Sequence, residues 1–249
     1  MPQTGSDGTG LRLIEQLGHR VRPAYPALTP LLQQPPRYAD LSGVSRAVTL
    51  RAANASGTFT TRGGFLFTHR GFSGPAVLDV SHLAVRARRA GAQQEILVDW
   101  ADLSADAWNE ALQASRGTVA SALRLHLENR LAERLLADAE IAAGQRLAEL
   151  GRGDRRRLVE VLTRWPLPWT ADAGYRKAEV TGGGVDLAEV DPRTLESRRR
   201  PGLFLCGEIL DAFGPIGGYN FAWAWATGRA AGLGAAARGQ LAGAGRQRS

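Results

Sequence analysis

The residues best suited to chemistry lie in the segment LFLCGEILDAFGPIGGYNFAWAWATGRAAG, residues 203–232. Its apolar start, 203–206, has the character of a short buried strand and delivers Gly207 and Glu208 at its end. In open parallel sheets ligands bind beyond the carboxyl ends of strands, so Glu208 is placed to accept hydrogen bonds from ligand hydroxyls. Gly214, Gly217 and Gly218 follow and permit close backbone approach. A helix expected from about Tyr219 or Asn220 to about Arg238 then turns its unpaired N–H groups and positive dipole end towards the same cleft. That end favours an electron-rich, partly anionic group, such as the pyrimidine edge of a reduced flavin. A plainer reading stands beside this one: glycines that merely allow a tight strand-to-helix turn, capped by Glu208. The order of parts favours the ligand, because the helix is lined with Ala222, Ala224, Ala226, Gly228 and Ala231, small residues suited to close packing on a sheet.

Other reactive residues offer less. His69 in FTHRGFSG is either an acid–base group or a turn histidine bonded to backbone, and no residue is singled out as catalytic. His19 and His126 lack cysteine partners and ligand spacing, which argues against a metal. The single cysteine, Cys206, excludes an internal disulfide; on its strand it is expected to be buried and inert. FSGP at 72–75 lacks the second glycine of a nucleophile elbow.

With 249 residues, 44% of them apolar, the chain is long enough for a sizeable core. Its net charge of +7 suggests nucleic acid, yet all 31 basic residues except Lys177 are arginines. They are scattered along the sequence with no interleaved aromatics, which argues against a nucleic-acid partner. No run of eighteen apolar residues occurs, and MPQTGSDGTG carries no leader pattern, so a cytoplasmic protein without a membrane partner is expected.

These elements need a scaffold. TGSDGTG at 4–10 reads as a turn feeding a short helix at 11–17 that Asp7 or Thr9 caps. Short runs at 48–52, 58–61, 64–67 and 94–98 predict a small antiparallel sheet or barrel. A helix capped by Ser73 with Pro75 in its first turn is expected over 73–85. Three further helices follow: 105–114 capped by Ser104; a long one capped by Thr118 with Val119, Leu123, Leu127, Leu131 and Leu135 on one face; and one capped by Asp154 that ends at Pro166. After Trp169 the pattern returns to strands at 178–181 and 202–206, separated by the glycine triplet 182–184.

The segment 178–232, AEVTGGGVDLAEVDPRTLESRRRPGLFLCGEILDAFGPIGGYNFAWAWATGRAAG, resembles the closing signature of bacterial aminoacetone oxidase family enzymes, which are NAD(P)/FAD-dependent oxidoreductases. TGSDGTG at 4–10, LGHRVRPAYPALTPL at 17–31 and FLFTHRGFSGPAVLDVS at 65–81 extend the resemblance over nearly the whole chain. It implies an α/β fold, a truncated FAD/NAD(P)-binding Rossmann-like domain similar to that of glutathione reductase, interrupted by a small β-barrel-like domain and a helical domain. On that plan 1–20 and 166–240 form the flavin domain, 21–100 the barrel-like insert, 101–165 the three-helix insert and 241–249 a disordered tail. The resemblance implies that Gly207 and Glu208 meet the ribityl and phosphate region of FAD and that Gly217, Gly218, Tyr219 and Asn220 approach the ring, with Gly214 also expected among the cofactor-binding residues. Gly5, Ser6 and Asp7, with Thr181 and Gly182, are expected to border the flavin cleft, and the flavin is expected to take its hydride either from substrate or from NAD(P)H. One departure is large: no strand–GxGxxG–helix precedes Thr4, so about 150 residues, one nucleotide-binding domain, are expected to be missing, lost from the gene or carried by a second chain. FAD binding by this chain alone is then expected to be weak or absent. Two readings remain: a flavin-dependent oxidoreductase of unknown substrate, and a non-catalytic remnant acting as an interaction module; an arginine-rich nucleic-acid binder is a third.

Overall fold

The computed structural model describes residues 2–54 and 57–246. In chain order its helices and strands are α1 (Thr9–Gln16), β1 (Val21–Ala27), β2 (Leu31–Leu32), β3 (Ser45–Asn54), β4 (Gly57–Thr68), β5 (Gly71–Ser73), α2 (Pro75–Arg89) and β6 (Leu97–Asp99). They are followed by α3 (Ala105–Ala114), α4 (Val119–Leu123), α5 (Asn129–Asp138), α6 (Arg152–Arg164), β7 (Trp165–Pro166), β8 (Ala171–Asp172), β9 (Val180–Val185) and α7 (Tyr219–Arg246). The chain divides into two compact units, one of residues 1–29 with 173–249 and the other of residues 30–172. No helix among the described residues is long and apolar enough to cross a membrane.

The second unit grows from one hairpin. β3 and β4 pair antiparallel from Ser45↔Leu66 to Asn54↔Gly57, and the alternation Val48, Leu50, Ala52 on β3 and Phe65, Phe67 on β4 places apolar side chains in the core. The short runs 58–61 and 64–67 predict two strands interrupted at Arg62 and Gly63. The structure keeps β4 whole, because Gly63 and Gly64 stay in register with Val48 and Ala47 and their missing side chains make room for Pro75 and Ala76 of α2. α2 itself starts after Gly74 with no side-chain cap, not from Ser73. A Cβ at Gly74 would lie 2.5 Å from the carbonyl oxygen of Gly64, so this corner requires glycine. The sheet order is β7-β6-β3-β4-β5-β2-β8.

The helices of this unit share the core of the sheet, where the sequence suggested separate barrel-like and helical inserts. Trp108, Leu123, Leu131, Leu135 and Leu162 join Phe65, Phe67, Phe72 and Trp100 in one buried cluster. Asp138, at the end of α5, fastens the two parts: its Oδ2 accepts hydrogen bonds from Tyr38 Oη at 3.0 Å and Trp165 Nε1 at 2.9 Å. Burial and the neighbouring Asp138 push the Tyr38 phenol up to about 12. Ser104 caps α3 by accepting from the Ala107 N–H, and Thr118 forms a capping box with Ser121 at the start of α4. The long helix expected after Thr118 is interrupted: Glu128 is extended and begins α5 afresh. Arg46 of β3 holds the break by donating to the Glu128 carboxylate at 2.8 Å and to the His126 carbonyl at 3.0 Å. α6 begins after Gly151, with Asp154 inside its first turn instead of at its cap.

The first unit differs from its expected limits in the same physical terms. β1 was assigned to the insert, but it pairs antiparallel with β9, from Val21↔Val185 to Ala27↔Val180, and so belongs here. The glycine triplet lies within β9. Residues 203–206 form no ladder strand; Phe204 makes a single bridge with Glu196. Cys206, expected to be buried, is exposed because its neighbours Leu205 and Gly207 take the inward positions. α7 continues past Arg238 through Arg246, into residues assigned to a disordered tail; 247–249 lie outside the described residues.

A buried polar chain locks this unit. The Ser197 hydroxyl accepts from the N–H groups of Arg199 and Arg200 and lies 2.8 Å from His19 Nε2, while His19 Nδ1 lies 2.8 Å from Glu189 Oε2. Arg20 N–H and the Arg199 guanidinium also donate to Glu189. The order serine, histidine, carboxylate matches a hydrolytic triad, but all three side chains are buried and the hydroxyl is consumed by backbone, so the chain serves as a clamp. The Arg199 hydrogen bond, followed by those from Arg20 and His19, lowers the Glu189 carboxyl to about 2. A depressed folded pKa stabilises fully above the ordinary carboxylate range and less as pH falls towards 2. Glu189→Gln is therefore expected to cost about 2 kcal/mol in urea unfolding at neutral pH, and to flatten the loss of stability between pH 4.5 and 2.

Candidate functional site

β9 organises the site because its glycines bring three segments together. An added Cβ would lie 2.3 Å from the Tyr25 ring at Gly182, 2.4 Å from the Pro23 carbonyl at Gly183 and 2.5 Å from the Ile209 carbonyl at Gly184. With no side chains there, β1 closes on one side of β9 and the turn 207–211 on the other, joined by the parallel bridge Val185↔Leu210. Glu208 is thereby set beside Thr181, whose N–H donates to Glu208 Oε1.

Two cavities flank this hydrogen bond. One, of about 250 Å³, is lined by Glu208, Gly217, Gly218 and Asn220 together with Leu28, Glu179, Val180, Ile216, Phe221, Trp223 and Ala224. The other, of about 520 Å³, is lined by Gly5, Ser6, Asp7, Gly8 and Thr181 with Pro2, Leu11, Ala24 and Tyr175. Val180 and Thr181 reach different cavities because successive strand residues point to opposite faces. The expected site residues thus gather in two groups tied by the Glu208–Thr181 bond.

Four expected residues serve the architecture instead of lining a cavity. Gly182 lies under Tyr25. Gly207 is buried against α7: its N–H donates to Thr227 Oγ1 at 2.9 Å and its carbonyl accepts from Trp223 Nε1 at 3.1 Å, so both of its backbone groups are used. Gly214 packs on Tyr219, whose Cβ would be 2.8 Å from an added methyl, while Tyr219 itself is exposed. Asn220 braces this turn, accepting from the Gly214 N–H and donating to the Gly214 carbonyl. His69 is exposed in the turn between β4 and β5.

The first cavity has a definite chemical character. Gly217 and Gly218 have φ of +117° and +92°, and an added Cβ at Gly218 would meet nothing within 4 Å, so the backbone at the start of α7 opens onto free space. The helix end presents N–H groups. Glu179 and Glu208 supply two carboxylates, and no cationic side chain lines the cavity. That donor set suits a flat, largely neutral group bearing hydroxyl or N–H donors and an electron-rich edge; it does not suit a phosphate. In the second cavity the side chain and N–H of Thr9, more than Arg12, hold the Asp7 carboxyl below the usual carboxylate range. Asp7 is thus an anionic acceptor at neutral pH.

The sequence model of the HI0933-like protein Rossmann domain matches residues 1–234. The chain belongs to this family. Among its curated relatives, a protein of Escherichia coli K12 named ribosomal RNA dihydrouridine synthase is 34% identical over 227 residues, covering 91% of this chain and 56% of the relative. A Haemophilus influenzae protein of the same name is 32% identical over 243 residues, 94% of this chain and 57% of the relative. A Clostridium scindens protein named 3-dehydro-bile acid delta(4,6)-reductase is 33% identical over 241 residues, 94% of this chain and 59% of the relative. The chain thus spans somewhat over half the length of these relatives. The HI0933-like membership bears out the Rossmann-type kinship read from the sequence; the relatives just named carry activities other than aminoacetone oxidation.

Leu28, Glu179, Ile216 and Tyr175 line the cavities without having been foreseen. Glu179 and Ile216 lie inside the stretch 178–232 and Leu28, at a left-handed φ of 51°, inside 17–31, but nothing in either stretch singled them out. If Thr227 is the support of Gly207, Thr227→Val leaves a buried N–H unpaired. Its expected cost is about 1–3 kcal/mol, read as a lower urea midpoint with no change of secondary structure.

Proposed function

We propose that this chain forms the ring side of an FAD site in an oxidoreductase that reduces a carbon–carbon double bond conjugated to a carbonyl, with NAD(P)H as electron donor. The observation that carries the reading is the open glycine cradle at the start of α7, facing a cavity with two carboxylates and no cation. When bound, the flavin supplies the hydride. Glu208, fixed through Oε1 by Thr181, would offer its carboxylate as an acceptor to donors on the ribityl chain or ring. The N–H groups at Gly218 and the first turn of α7 favour the electron-rich pyrimidine edge. Leu28, Val180, Ile216 and Trp223 give the cavity its apolar wall and limit water at the ring.

The double-bond chemistry follows from what the relatives' names have in common. Forming dihydrouridine from uridine, and reducing delta(4,6) bonds of a 3-dehydro compound, both add hydrogen across an alkene conjugated to a carbonyl.

Titration of the chain with FAD, followed by flavin absorbance and fluorescence quenching, tests the reading. Weak but saturable uptake is expected from a chain that spans little more than half the length of its relatives, and uptake at least about tenfold weaker still in Gly218→Val, whose branched side chain fills the cradle. A wild-type chain that takes up no flavin removes this reading and leaves the interaction module.

A further inference from the structure

The arginines that look scattered in the sequence are not scattered in the fold. Within the second unit, one hollow of about 770 Å³ is lined by Arg116, Arg146 and Arg155. Another, of about 490 Å³, is lined by Arg152, Arg155, Arg156 and Arg164. Arg155 and Gln113 line both, so the hollows adjoin along α3 and α6. All six arginines except the half-buried Arg155 are exposed.

Their surroundings leave this charge uncompensated. Three acids of the helical segment are held by other arginines, Glu133 by Arg124, Asp138 by Arg134 and Asp154 by Arg157, while Asp106, Glu110, Glu140 and Glu149 line neither hollow. Among the described residues none of the six has an ion-pair partner, and Glu160 is the one acid in the lining of either hollow. Asn109, Ser115, Thr118 and Thr163 add hydrogen-bonding groups along the walls. Guanidinium groups bind phosphate through paired N–H donors, and six of them along a concave surface fit a chain of phosphates better than one isolated anion.

We propose that this groove holds the sugar–phosphate backbone of a folded RNA. Neither hollow has an aromatic in its lining, so bases have nothing to stack on; recognition through backbone and shape is how proteins bind helical RNA. The inference gives the proposed double-bond reduction a substrate class, and it rests on that reading only for choosing RNA over another polyanion.

The test is the salt dependence of binding of an in vitro transcribed RNA stem-loop to the full chain without flavin, by fluorescence anisotropy. The triple variant Arg116→Gln, Arg146→Gln, Arg155→Gln is expected to bind at least about tenfold more weakly, with the log–log salt slope reduced by roughly 2–3. The exposed single variants Arg116→Gln and Arg146→Gln should each lower the slope by roughly 1, which keeps the test decisive if the triple variant is unstable. A control of equal charge, Arg37→Gln, Arg70→Gln, Arg86→Gln, removes arginines that line neither hollow and should leave the slope nearly unchanged. The proposal is overturned by groove variants that bind like wild type, by a control that loses as much, or by duplex DNA or polyglutamate binding as tightly as the RNA. A wild-type chain that takes up flavin but binds no RNA overturns this groove alone and leaves the proposed flavin site standing.

Discussion

The site depends on one steric condition: the face of β9 from Gly182 to Gly184 carries no side chains. Each glycine touches a different neighbour at a distance that no Cβ would tolerate: the Tyr25 ring, the Pro23 carbonyl and the Ile209 carbonyl. Close contact on both sides fixes the turn 207–211 against the strand, and this in turn puts the Glu208 carboxylate on the Thr181 N–H. The two cavities are the spaces left on either side of that arrangement. A sequence of three glycines is usually read as a flexible loop; here each of the three is packed too closely to admit a Cβ.

The same economy recurs at the start of α7. Gly207 gives both backbone groups to Thr227 and Trp223, and Asn220 braces the Gly214 turn, so the motif's polar groups are mostly spent on holding its own shape. What is left open is narrow: the cradle at Gly217 and Gly218, and the Glu208 carboxylate that lines the same cavity. Preorganisation of this kind lowers the entropy that binding must offset. Phe221 and Trp225 lie further along the helix with their rings stacked and largely exposed, at 69% and 74%.

In the second unit a single acidic residue has a comparable reach. By accepting from both Tyr38 and Trp165, Asp138 joins α5 to the aromatic core of the sheet, and sheet and helices share one apolar cluster. Arg46 reaches from β3 to interrupt the helix that the leucine periodicity foretold. Local propensity favoured one long helix; a tertiary ion pair and a carbonyl contact divided it.

Local features were legible in the sequence because they depend on near neighbours. Ser104 and Thr118 cap their helices, the alternation around Val48 and Leu50 marks a half-buried strand, and the order of acid, glycine turn and small-residue helix pointed to the Rossmann-type kinship that the family match bears out. The tertiary structure decided everything that required distant segments to meet. It put β1 in the first unit by pairing it with β9, drew His19 into a buried clamp with Glu189 and Ser197, turned Cys206 outward, and assembled arginines from 116 to 164 along one groove. The reason is common to all four: pairing, burial and charge neutralisation depend on which residues become neighbours in space, and spacing along a chain does not encode that when the partners lie up to 178 positions apart.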